Sequence, residues 1–114
     1  MENAEATVEK AIARVRHLLT EELSPDYLFH NHNRTAERYE LVQPFAQAME
    51  ISEEEALQLK LATLFMDTGF VRSAEDHEQH SAKLAREFLL EERADEAFIQ
   101  KVEKLILSTR WGVE

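Results

Sequence analysis

The sequence predicts an all-α fold, a compact bundle of about five helices in a single domain spanning residues 1–114. Turn-forming residues are scarce, with two glycines and two prolines, and the β-branched alternation that is typical of strands is rare. Apolar side chains instead recur every three or four residues, which is the spacing of one helix face. The length suits one hydrophobic core.

The first two helices are predicted on either side of a proline-containing connection. The first runs from Glu2 to Leu23 and carries an apolar row at Val8, Ile12, Val15, Leu19 and Leu23. Pro25 follows its end, and the polar and aromatic stretch "SPDYLFHNHN" leads onward. The second helix runs from Asn33 to Met49, with Tyr39, Val42, Phe45 and Met49 on one side. Pro44 should kink or interrupt it, because proline removes a backbone donor.

The third helix begins at a capping box. Ser52 precedes Glu55 by three residues, and the helix continues through the apolar residues Leu57, Leu61, Leu64 and Phe65. It is predicted to be central, because most of its sides are apolar after Lys60. It ends near Asp67, at Gly69, in the stretch "LATLFMDTGF".

The last two helices each follow an aspartate. Asp76 resembles an N-terminal cap of a fourth helix, whose first turn carries His77 and His80. A fifth helix is predicted from about Asp95 to Thr109, with a buried face at Phe98, Val102, Leu105 and Ile106.

Composition narrows the classes of function. The formal net charge of −10 disfavours nucleic acid and anionic membranes as partners. There is no cysteine, which excludes disulfides and thiolate metal sites and favours a cytoplasmic address. No stretch is predicted to be a signal peptide or a membrane span.

Four stretches together resemble the HD-domain superfamily of metal-dependent phosphohydrolases, all-helical enzymes named for an adjacent His-Asp pair. The stretches are "FHNHNRT", "LFMDTGF", "HEQHSAKLA" and "LILSTR", in the family's order between about Tyr27 and Thr109. The resemblance implies that Asp67 and His77 serve catalysis and hold a divalent cation. It also implies that His30, Arg34 and Glu78 contact a small phosphorylated substrate.

The chain departs from the family pattern at the metal ligands. Arg34 stands where the family has a metal-binding histidine, and Met66 replaces the histidine of the His-Asp pair. Arginine has donors only, and the methionine thioether is a poor ligand for magnesium or manganese. A later aspartate of the family would fall beyond residue 114. The resemblance therefore implies either no metal or a weakly bound Mn, Mg, Fe or Zn ion.

Several interpretations of Asp67 remain open. Arg34 can pair with it, supplying as a fixed cation the charge balance that a metal gives in the family. Asp67 can instead cap a neighbouring helix or turn, with Arg34 in solvent. A replacement metal site built from His30, His32, Asp67 and His77 is a further, less favoured alternative.

The residues and the resemblance leave two candidate functions. One is a phosphohydrolase-like domain with a degraded metal site and weak or no activity, and the other is a noncatalytic domain that binds a ligand or a partner protein. Family domains usually continue with further helices. An uncovered face at Phe98, Val102, Leu105 and Trp111 would then favour a homodimer.

Overall fold

The computed structural model describes residues 3–22 and 32–108, and within these ranges the chain forms five α-helices and no strand. The predicted all-α bundle is confirmed. In order, the helices are α1 (Ala4–His17), α2 (His32–Met49), α3 (Glu53–Phe65), α4 (His77–Glu91) and α5 (Glu96–Leu107). A π-helical turn, Leu18–Glu22, extends α1, and a short 3-10 turn, Thr68–Val71, joins α3 to α4. None of the described helices is long and apolar enough to cross a membrane.

Helix α3 lies at the centre of the bundle and packs against α1, α2, α4 and α5. Leu61 and Phe65 are fully buried on it, and the Phe65 ring lies 5.5 Å from the ring of Phe88 on α4. The predicted central position of this helix is confirmed. Its central place follows from its sequence, because a helix that is apolar on more than one side needs neighbours on each of them.

The predicted cap of α3 forms, and α5 has a side-chain cap that was not predicted. The Ser52 hydroxyl accepts a hydrogen bond from the backbone N–H of Glu55 at 3.1 Å, and the Asp95 carboxylate accepts one from the N–H of Phe98 at 2.8 Å. Asp76 stands at the predicted start of α4 but makes no side-chain cap. Its φ of 55° instead places this residue in the left-handed region, which turns the chain into the helix.

Helix α1 buries a slightly different face from the one predicted. Thr7, Ala11 and Val15 are buried, whereas Val8 and Ile12 are only partly buried and pack at the edge of the core. Leu23 and the connection that follows it lie outside the described residues.

Helix α2 continues through Pro44, so the predicted interruption is wrong, whereas the alternative of a kink at Pro44 stays a prediction. Val42 and Ala46, on either side of the proline, are both buried. Packing on both sides of Pro44 offsets the loss of one backbone donor. The predicted buried side of α2 is wrong in part, because Phe45 and Met49 are exposed.

Charged side chains join the outer helices. The Arg14 guanidinium of α1 binds both carboxylate oxygens of Glu91 and lies 5.5 Å from the centre of the Phe88 ring. Arg86 of α4 binds Glu96 and Glu103 of α5, each through two hydrogen bonds. These bidentate contacts fix how α1, α4 and α5 are arranged around the core.

The predicted uncovered face of α5 is wrong for two of its residues. Phe98 is 5% exposed and Val102 is 0% exposed, because α3 and α4 cover them. Leu105 packs against the core as a partly buried residue. Trp111 lies outside the described residues, so the described part of α5 gives no reason for dimerisation.

Candidate functional site

Asp67 lies immediately after the buried end of α3. The helix ends at Phe65, Met66 caps it, and Asp67 precedes the 3-10 turn. Its side chain is only 6% exposed. It makes no capping hydrogen bond to that turn, and the alternative that it caps a neighbouring helix or another turn stays a prediction. A carboxylate this buried requires a partner that compensates its charge.

Arg38 supplies that charge. Its Nη1 donates a hydrogen bond to Oδ2 of Asp67, and its side chain is 28% exposed. Arg38 stands one helical turn after Arg34 on α2, so both arginines belong to the same helix face. The side chain of Arg34 lies outside the described part of the chain, and the hypothesis that Arg34 pairs with Asp67 remains a prediction.

The turn that holds Asp67 is fastened to the start of α4. The Ser81 hydroxyl donates to the carbonyl of Met66 at 2.9 Å and accepts from the N–H of Gly69 at 2.8 Å. Gly69 also approaches α4 so closely that a Cβ there would lie 1.8 Å from the carbonyl oxygen of His77. The stretches "LFMDTGF" and "HEQHSAKLA", which six residues separate in the sequence, therefore form one structural unit.

His77 and Glu78 lie at the other side of this unit. The His77 ring stacks on Phe70, with ring centroids 4.1 Å apart, and its Nδ1 lies 3.1 Å from a carboxylate oxygen of Glu78. Both side chains are largely buried. These contacts hold the first turn of α4 against the 3-10 turn. His80, in the same first turn, instead lines a separate surface groove with Arg72.

The described residues do not fit a divalent cation. Among residues 3–22 and the side chains described from 35 onward, no group of three or more His, Asp or Glu side chains could hold a metal ion. The Asp67 carboxylate is already bonded to a guanidinium, which is a donor and not a ligand. His30 lies outside the described residues, as does the side chain of His32, so the replacement site that uses them stays a prediction.

An apolar groove adjoins the Arg38–Asp67 pair. It has a volume of about 330 Å³ and is lined by Arg38, Leu41, Val42, Phe45, Leu59, Thr63 and Met66. The groove was not predicted, because the apolar period of α2 had indicated that Phe45 is buried. A signal for it was present in the spacing of Leu41, Phe45 and Met49, which form a single row along α2.

A second groove of about 570 Å³ lies away from Asp67, between α1, α2 and α3. Val8, Ile12 and Leu57 form its apolar wall, and Glu5 stands among its polar residues. Tyr39 also lines it, and burial raises the pKa of its hydroxyl above the ordinary value.

Comparison with protein-family models, with curated proteins and with solved structures finds no match to this chain. The assignment of function therefore depends on the residues themselves.

Proposed function

We propose that this chain is an HD-type helical domain that acts by binding and not by catalysis, with a guanidinium in place of a metal ion at Asp67. The observation that carries the proposal is the hydrogen-bonded ion pair between the half-buried Arg38 and the buried carboxylate of Asp67. It gives the carboxylate its charge balance without a cation from solution.

A guanidinium cannot perform the chemistry that such a metal supplies. Arginine stays protonated and offers only N–H donors, so it neither coordinates a water molecule nor converts it into hydroxide. It can still hold a carboxylate in place. Asp67 therefore keeps a structural task after the catalytic one is lost.

The neighbouring motif residues have structural partners as well. Ser81 joins Met66 to Gly69, and His77 stacks on Phe70. These contacts give Ser81 and His77, which match the family's motif, a structural role that does not require a complete set of metal ligands. They are compatible with a domain that keeps the shape of the family and uses it for binding.

The alternative function is metal-dependent hydrolysis of a small phosphorylated ligand. It would require that His30 or His32 complete a metal site with Asp67 and His77. A cytoplasmic address, a phosphorylated ligand and a homodimer remain predictions from the sequence.

Metal content and phosphoesterase activity test the proposal together. The purified chain is loaded with manganese, zinc or iron and analysed for bound metal, then assayed on a generic phosphomonoester and a phosphodiester. We expect neither stoichiometric metal nor turnover. Stoichiometric metal and turnover that Asp67→Asn abolishes would overturn the proposal, provided that Asp76→Asn, which changes an aspartate without a side-chain cap, leaves both unchanged.

A further inference from the structure

Helix α2 presents a row of large apolar side chains to solvent. Leu41 is 71% exposed, Phe45 is 56% exposed and Met49 is 59% exposed. The three residues are spaced by four, so they follow one another along about 12 Å of one helix face. We call them the α2 stripe.

The α2 stripe differs from the other exposed apolar residues of the described chain. Leu90 and Leu107 are exposed on two different helices, which is ordinary for single surface residues. The stripe instead continues into the 330 Å³ groove, where Leu59 of α3 and Met66, which caps the end of α3, add apolar surface. A ridge and a groove side by side are the features that receive a partner helix.

Negative charge flanks the α2 stripe and its groove. Glu37 stands one helical turn before Leu41 on α2, and Glu55 stands one turn before Leu59 on α3, so each shares the helix face of an apolar residue of the stripe or groove. The basic residue that lines the groove, Arg38, is already bonded to Asp67. Helix α2 also ends at Met49, where the helix dipole favours a cation.

We propose that the α2 stripe and its groove bind a basic amphipathic helix of a partner protein. The apolar face of that helix would cover Leu41, Phe45 and Met49, and its lysines or arginines would face the surrounding glutamates. The inference rests on one part of the proposed function, which is that the chain acts by binding.

A second copy of the chain is a poor occupant of the same surface. A symmetric dimer places the same patch of both copies in contact, so the glutamates around one stripe would face those around the other. Each copy also carries a net charge of −10. Charge complementarity therefore selects a basic partner.

The test uses a fluorescein-labelled synthetic peptide of leucine and lysine with the spacing of an amphipathic helix, roughly four turns long. Binding is followed by fluorescence anisotropy at two salt concentrations. We expect saturable one-to-one binding that weakens with salt. Phe45→Glu is expected to weaken it by about 30-fold, the effect of losing a central interface residue.

Matched variants distinguish binding at this surface from general electrostatic attraction of the peptide to an acidic protein. Leu90→Glu adds the same charge at a residue 54% exposed on α4 and should leave the affinity within about twofold. Glu37→Lys, at an exposed position one turn before Leu41, should weaken binding and its salt dependence more than Glu87→Lys, which changes an exposed glutamate of α4. Circular dichroism checks that each variant is folded.

Three results would overturn the inference. They are no saturable binding of the peptide, an equal loss of affinity in Phe45→Glu and Leu90→Glu, or a dimer in light scattering that Phe45→Glu dissociates. None of these results depends on metal content or turnover. Each of the two proposals can therefore be refuted while the experiments on the other still support it.

Discussion

Gly69→Ala should disrupt the junction between the Asp67 turn and α4, because the added methyl group has no room there. A Cβ at residue 69 would lie 1.8 Å from the His77 carbonyl oxygen and 2.7 Å from the Ser81 nitrogen. Real Cβ atoms keep at least 3.0 Å from such atoms, so the turn and the helix must separate by at least 1.2 Å. The obstacle is backbone, which cannot rotate away as a side chain can.

The expected cost of Gly69→Ala combines two effects. Overpacking of a close contact costs about 1–3 kcal/mol, and separation also weakens the two hydrogen bonds of Ser81, worth about 1 kcal/mol each. We therefore expect a loss of roughly 3–5 kcal/mol in the free energy of unfolding. For a domain of this size the melting temperature should fall by about 12 °C or more.

Urea unfolding followed by circular dichroism measures the effect of Gly69→Ala. Ser81→Ala, which removes the hydrogen bonds without the clash, should cost about 1–3 kcal/mol. Ser108→Ala is its control, because the Ser108 hydroxyl bonds only at an exposed helix end. A Gly69→Ala protein within about 0.5 kcal/mol of the parent would refute the close approach of the turn to α4.

Three further changes test other parts of the fold. Arg86→Met should make the free energy of unfolding depend less on acid pH than Lys83→Met does. The hydrogen bond from Arg86 lowers the pKa of Glu96 below 4.5. The stabilisation from this pair is therefore present above pH 4.5 and is lost as the pH falls through the lowered pKa. Urea unfolding at a series of pH values measures this, and equal profiles would contradict it. Asp95→Ala should lower the free energy of unfolding by about 1 kcal/mol, because it removes the cap of α5. Phe88→Ala should lower it by about 3–5 kcal/mol, because it leaves a cavity in the core. Urea unfolding measures both.

Helix positions and the cap of α3 could be predicted because they depend on local patterns. Ser52 precedes an apolar period and caps α3 as expected, whereas the cap that Asp95 forms on α5 was not predicted. At Asp76 the start of the helix was predicted correctly but its cause was wrong, since the backbone turns through a left-handed residue there. Pro44 shows the opposite case, because tertiary packing on both sides maintains a helix that the sequence alone would interrupt.

The site was only partly predictable for a geometric reason. The family resemblance indicated that Arg34 could neutralise Asp67, and nothing in the sequence indicated Arg38 for this role. Arg38 stands one helical turn after Arg34, so the two positions share a helix face and helical spacing alone does not select between them. The exposed Phe45 could not be predicted either, because periodicity identifies an apolar residue but not whether another element covers it.

A double-mutant cycle of Arg38→Met and Asp67→Asn tests the central claim most directly. The four proteins are unfolded in urea, once with EDTA and once with manganese. We predict a coupling free energy of about 1.5–3 kcal/mol between Arg38 and Asp67 that manganese leaves unchanged. Coupling near zero, or coupling that manganese abolishes while stabilising the parent protein, would contradict the claim that a guanidinium takes the place of a metal ion at Asp67.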